Sequence, residues 1–227
     1  MTDASARGAS DLVVDRPGEY WRRVDIAQRY DSRRFDNLKG QLYRRREERA
    51  IERALCRLQP GSRILDAACG TGRITALLLR KGFRATGCDI SPAMMAVAHQ
   101  RLRSLGYQAA LVEGSVERLP YPDNTFDGAS CIGLLMHLDT EARGRALCEL
   151  ARVSRGPLVV QYGCVGVFRR LKVAMGGRPP GQVRFPVPVA RMRMDLERCG
   201  LIERARFWVL RGFSSSVVLL VDKPVCA

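Results

Sequence analysis

Two acids and a pair of glycines are the residues in this chain best placed to hold a nucleotide-like ligand. Asp66 closes the short apolar run begun by Ile64 and Leu65, Gly70 and Gly72 follow, and an apolar-periodic stretch starts at Ile74. That order predicts a strand, a tight turn and a helix start. Glycine suits a turn whose backbone takes positive φ or lies directly against a ligand. The helix behind it presents unpaired N–H groups and the positive end of its dipole. Asp89 stands 23 residues after Asp66, at the end of a second apolar run. An acid at about that distance is placed to accept ribose hydroxyls, in the crevice beyond the carboxyl ends of a parallel sheet.

Some nucleotide sites are excluded by what surrounds the turn. The dinucleotide fingerprint wants a third small residue at position 75, and Thr75 is there. A phosphate-cradling loop wants Gly-Lys-Ser/Thr, whereas Arg73-Ile74 follows Gly72. The eight cysteines, at 56, 69, 88, 131, 148, 164, 199 and 226, form no C-x-x-C pair. With two histidines in the chain, no metal site is expected. The cysteines read as reduced, mostly buried thiols, with Cys69 and Cys131 as small fillers at the pocket rather than nucleophiles.

The elements that must position these residues follow from hydrophobic period and punctuation. Helical spacing covers Glu19 to Leu58, through Tyr20, Val24, Ala27 and Tyr30 and then Leu42, Ala50, Ile51, Ala54, Leu55 and Leu58, with a break over 31–40. Strands are expected at 63–66, 85–89, 109–113, 126–131, 157–162, 202–210 and 215–222. Helices are expected at 74–82, from Ser91-Pro92 to before Gly106, at 139–154 with Leu147, Leu150, Ala151 and Val153 inward, and at 189–199. A helix between Glu117 and Asp123 would be cut short by Pro120 and Pro122. Alternating strands and helices call for a mostly parallel sheet covered on both faces. Residues 1–18 read as a flexible tail, 19–60 as a helical lid, and 61–227 as the core, with a lid or insertion at about 163–188. In that insertion Arg169, Arg170 and Lys172 among apolar residues suggest a short basic amphipathic helix, a substrate lid or a patch for an anionic membrane surface.

Taken together, these motifs resemble the class I S-adenosylmethionine (SAM)-dependent methyltransferases of the small-molecule type. Asp66 to Gly72 resembles that family's first motif and Gly87 to Ser91 its second. Gly114 to Tyr121 resembles the third, and Phe126-Asp127 through His137-Leu138 the fourth strand and its turn. The resemblance implies a Rossmann-like seven-stranded sheet, mostly parallel with an antiparallel C-terminal strand, helices on both faces, and a helical lid. It implies SAM as methyl donor and S-adenosylhomocysteine (SAH) as product. Backbone groups near Ala68, Cys69 and Gly70, with Gly72 completing the turn, would lie along the amino-acid end of the cofactor, and Asp66 would attract its ammonium. Asp89 would accept both ribose hydroxyls, and Ile90 and Met94 would flank the adenine. Ser115, helped by the Val116 backbone, would accept from the adenine amino group where many relatives carry an aspartate, at some cost in affinity. Cys131 would fill the pocket floor.

The acceptor side is read from the same resemblance. Tyr20, Trp21 and Tyr30 are candidate lining residues of the lid, and Arg45 a candidate for an anionic acceptor, although the run from Arg44 to Arg49 also reads as a self-paired helix face. His137 is the candidate base, needed only if the acceptor must lose a proton. The turn at Ser130 to Gly133 lacks the Asn/Asp-Pro-Pro-Tyr element of DNA adenine and glutamine methyltransferases, and the paired-glutamate loop of protein arginine methyltransferases is missing. Small-molecule, sugar, polyketide or lipid-like acceptors remain. An RNA methyltransferase, suggested by the net charge of +15, and a non-catalytic protein of the same fold are the alternatives. The charge itself fits an anionic partner or an arginine-rich solvated surface equally well. No apolar window is long enough to span a membrane and the start lacks a signal layout, so a cytoplasmic location is expected.

Overall fold

The computed structural model describes residues 22–164, 187–210 and 216–223. Seven strands form one sheet in the order β3-β2-β1-β4-β5-β7-β6. They are β1 (Arg63–Ala67), β2 (Arg84–Asp89), β3 (Ala110–Glu113), β4 (Gly128–Cys131), β5 (Leu158–Gly163), β6 (Ile202–Trp208) and β7 (Ser216–Asp222). The first five pair in parallel, and β7 runs antiparallel between β5 and β6. The strand order reverses between β1 and β4, so the crevice for a ligand opens over the end of β1. The parallel strands are those that the chain's periodicity predicts, and the antiparallel end is the one that the family resemblance implies.

Helices α1 (Val24–Phe35), α2 (Leu38–Ala54), α3 (Arg73–Arg80), α4 (Pro92–Ser104), α5 (Thr140–Val153) and α6 (Val189–Arg198) surround the sheet. Local signals fix several of their starts. Ser91 Oγ accepts from the Met94 amide at 3.1 Å with Pro92 behind it, and Asp139 accepts from the Glu141 and Ala142 amides. All four predicted inward residues of α5 are buried. No helix among the described residues is long and apolar enough to cross a membrane.

Four expectations are corrected. The lid break is confined to Asp36 and Asn37, because Asn37 accepts from the Gly40 amide at 2.8 Å and starts α2 at once. On the lid helices Val24 and Leu42 are exposed, while Ile26, Ala27 and Phe35 face inward from α1. No helix forms over 117–123, where Ser115 bridges Arg118 in a turn and prolines follow. Finally, Cys148 of α5 and Cys199 at the end of α6 are joined in a disulfide, so the thiols are not all reduced. Tyr20, Trp21 and most of the 163–188 insertion lie outside the described residues.

Candidate active site

The turn after β1 is wound tightly. Ala68, Gly70 and Gly72 all take left-handed backbone, with φ of 58°, 53° and 75°. Holding a residue that has a Cβ in that region costs about 1–2 kcal/mol, so the shape at Ala68 is imposed by its surroundings. Nothing lies within 4 Å of the side-chain direction of Gly70, whereas a Cβ on Gly72 would stand 2.9 Å from the Ala98 Cβ. Gly70 therefore leaves room for a ligand and Gly72 lets α4 cross close behind the turn.

Asp89 sits at the end of β2 with its carboxylate across this turn. One oxygen accepts from the Gly70 amide at 2.8 Å and the other from the Ser91 amide at 2.9 Å. Burial raises its pKa and these two amides counter only part of that rise. Asp66 stands back from the cavity lining. It is buried below the turn, accepting from the Thr75 hydroxyl at 2.7 Å and the Ser130 hydroxyl at 3.1 Å. Burial lifts its pKa to about 6, against the pull of those two hydroxyls. Asp66 thus holds α3 and β4 to β1 and does not line the cavity.

A cavity of about 500 Å³ opens over the turn, within the size range of small-molecule sites. Ala68, Cys69, Gly70, Asp89, Ile90, Met94, Ser115 and Val116 line one side, as expected, and Tyr30 and His137 line the other. Gly72 and Cys131 stand outside it; the Cys131 side chain is fully buried in the core. The Cys69 thiol is pushed well up by burial, which suits a filler and not a nucleophile. Ser115 Oγ accepts from the Glu117 amide at 3.2 Å, shaping the turn in which it sits. His137 ends the one-turn helix Leu135–His137 at the cavity rim.

Arg45 is placed elsewhere. It faces a second, smaller cavity of about 260 Å³ bounded also by Asp31, Phe35, Arg44 and Arg101, on the far side of Arg73. Among the described residues three arginines line the main cavity, Arg34, Arg73 and Arg145; Arg34 lies one helical turn after Tyr30 and donates to its hydroxyl at 2.8 Å. Behind it, Glu47 is fully buried. Its carboxylate pairs with Arg73, accepts from Gln161 Nε2 at 2.7 Å and lies 3.8 Å from Arg34. Burial alone would raise Glu47, but Arg73 and Arg34 hold it below the usual carboxylate range. The run from Arg44 to Arg49 is only partly self-paired, through Arg44 and Glu48 at 3.6 Å. One signal for Glu47 is present in the chain itself: it shares the helical stripe of Ala50, Ile51 and Ala54, where an acid is out of place unless paired. The lid is fastened to the turn as well, since the Thr71 hydroxyl donates to Asp31 at 2.9 Å and Arg101 pairs with the same carboxylate.

The sheet order, the turn and the crevice define a class I methyltransferase fold. Residues 64–156 match the family model of a methyltransferase domain. It is 36% identical over 143 residues to demethylmenaquinone methyltransferase of Mycobacterium marinum, covering 60% of this chain and 58% of that one. It is 36% identical over 103 residues to malonyl-[acyl-carrier protein] O-methyltransferase of Serratia marcescens, covering 45% and 38%. The chain therefore spans about half the length of these relatives. Among solved structures it is similar to magnesium protoporphyrin IX methyltransferase of Synechocystis with bound SAH, with a TM-score of 0.70 and 21% identity over 88% of this chain and 98% of that one.

Proposed function

We propose that the chain is a SAM-dependent methyltransferase acting on a small-molecule or lipid-like acceptor. The observation that carries this reading is a single cavity in which the glycine turn, Asp89 and Ser115 face Tyr30, Arg34 and His137. The residues fit the cofactor: Gly70 leaves space against its own backbone, Asp89 offers carboxylate oxygens, and Ile90 and Met94 give apolar walls. SAM, when bound, supplies a methyl group on a sulfonium, open to in-line displacement by an acceptor atom. The turn and Asp89 fix where that methyl can be reached, and Tyr30, Ile132, Gly133 and Leu134 wall the space beyond. Holding two reactants in register is worth up to about 7–11 kcal/mol of the barrier, so positioning alone carries much of the rate. His137 takes the proton from an acceptor atom that must lose one. The named acceptors of the relatives, a quinone, an acyl group on a carrier protein and a porphyrin, support an acceptor with a ring or an acyl chain.

The test is calorimetry with SAM and SAH, followed by incubation with SAM and a panel of phenols, quinols and acyl acids. Tight binding of both and a one-methyl mass gain on a panel member are expected. No heat of binding at millimolar concentration of either would overturn the reading.

A further inference from the structure

Among the described arginines lining the cavity, Arg34 has the longest ion pair, 3.8 Å to Glu47, whereas Arg73 and Arg145 pair closely with Glu47 and Glu117. The Arg34 guanidinium is boxed by three rings, with centroids 5.9 Å away at Tyr30, 5.3 Å at Phe35 and 5.7 Å at Tyr43. Only a quarter of the side chain is exposed. The acid within reach, Glu47, already pairs with Arg73 and accepts from Gln161. The next acid on α2, Glu48, lies between Arg44, Arg73 and Arg80, at 3.6–3.8 Å from each. Two carboxylates thus serve four arginines, and the half-buried cation nearest the acceptor space has only a distant share in one of them. A sulfonium bound beyond would add a further positive charge to the same cavity. Positive charge held away from water in excess of the acids beside it is costly, and the cost is relieved by an anion brought in by the ligand.

The geometry on the opposite side agrees. Gly133 lines the cavity, and a side-chain carbon built on it would stand 3.9 Å from Arg34 Nη1. At that glycine a ligand oxygen can approach the guanidinium with no side chain between. A planar guanidinium with free N–H groups holds a carboxylate or an ionised hydroxyl through short, charge-assisted hydrogen bonds.

Resting on the methyltransferase reading, we propose that the acceptor carries an oxyanion, a carboxylate or an enolate or phenolate oxygen, held by Arg34 against the Gly133 turn. Arg34 is then a specificity-determining residue: it selects acceptors that bring a negative charge, and it places the charged group on the lid side of the cavity. The surface arginines of α2 have no part in this contact.

The experiment compares carboxylates with their uncharged amides in protein saturated with SAH. Benzoate and benzamide, cinnamate and cinnamamide, and decanoate and decanamide are titrated by ligand-observed NMR. The proteins are wild type, Arg34→Met, Arg34→Lys and the exposed-surface control Arg46→Met. At least one carboxylate should bind about tenfold tighter than its amide to wild type and to Arg46→Met. That preference should fall below about threefold in Arg34→Met and be partly kept in Arg34→Lys. Equal binding of acids and amides across the set, a preference that survives Arg34→Met, or one equally lost in Arg46→Met would overturn the proposal. SAH calorimetry on every variant separates the two levels: intact SAH binding leaves the methyltransferase reading standing when the oxyanion preference fails, and it verifies that each variant is folded.

Discussion

The carboxylate of Asp89 accepts the Gly70 amide at 2.8 Å, so the acid expected to hold a ribose also holds the turn expected to lie along the rest of the cofactor. Two functions meet in one side chain. Asp89→Ala removes the anchor of the turn and an acceptor for the ligand together. Each charge-assisted hydrogen bond is worth about 1.5–3 kcal/mol, so SAH affinity should fall roughly tenfold to a hundredfold or more. Calorimetry checks this, and an unchanged affinity would contradict the placement of the ribose at Asp89.

Gly70 and Gly72 should fail in different ways. Gly70→Ala meets no protein atom within 4 Å, so beyond about 1 kcal/mol of left-handed strain its cost falls on the ligand, whose space the new methyl enters. Gly72→Ala drives a Cβ to 2.9 Å from the Ala98 Cβ and should destabilise the fold by about 1–3 kcal/mol, in part restored by Ala98→Gly. Urea unfolding beside SAH titration distinguishes them.

Ser115 uses its oxygen to accept the Glu117 amide, leaving less acceptor capacity for an adenine amino group. Ser115→Asp supplies one oxygen for the turn and a second for the ligand. SAH should bind about threefold to tenfold tighter; weaker binding than wild type would show that residue 115 does not face the adenine.

Asp66 imprints a pH dependence on stability. Its carboxyl has an ordinary pKa of 3.8 and is raised to about 6 in the fold. Between those values the native state binds more protons than the unfolded one, so this group's contribution falls as pH rises from about 4 to 6 and is flat above. The full change is on the order of 3 kcal/mol. In Asp66→Asn that component is absent, and the stability of wild type relative to the variant should decline across this interval in urea unfolding. A constant difference would mean that the carboxyl titrates normally.

Glu47 should be structurally indispensable. Glu47→Ala leaves Arg34 and Arg73 without their shared acid inside the protein, a loss of about 3–5 kcal/mol. At this chain length that lowers the thermal midpoint by roughly 6–20 °C. Glu47→Gln, which can still accept from Gln161, should lose less. A midpoint unmoved in Glu47→Ala would show that the cluster carries no net stabilisation.

The residues along one side of the cavity were readable because their determinants are local. Asp89 declares itself by distance from Asp66, and Ser91-Pro92 by the chemistry of a helix start. The failures concern partners far away in the chain. Asp66 looked like a ligand contact because nothing in its neighbourhood reveals that Thr75 and Ser130 both turn toward it. The close approach of Ala98 to Gly72 was not legible because Ala98 belongs to another helix. On α2 the arginine–glutamate run satisfies the i, i+4 pairing pattern, which tertiary pairing also satisfies. Only the apolar stripe distinguishes the buried Glu47 from the exposed Arg45, and Arg34 draws its setting from rings on two helices.

The bond from Thr71 to Asp31 has a consequence for the timing of catalysis. The helix that carries Tyr30 and Arg34 is fastened to the very turn on which the donor would rest, so settling of the turn steadies the opposite wall. On the proposed methyltransferase reading, the expected outcome is ordered binding with the donor first, which product-inhibition kinetics with SAH would check.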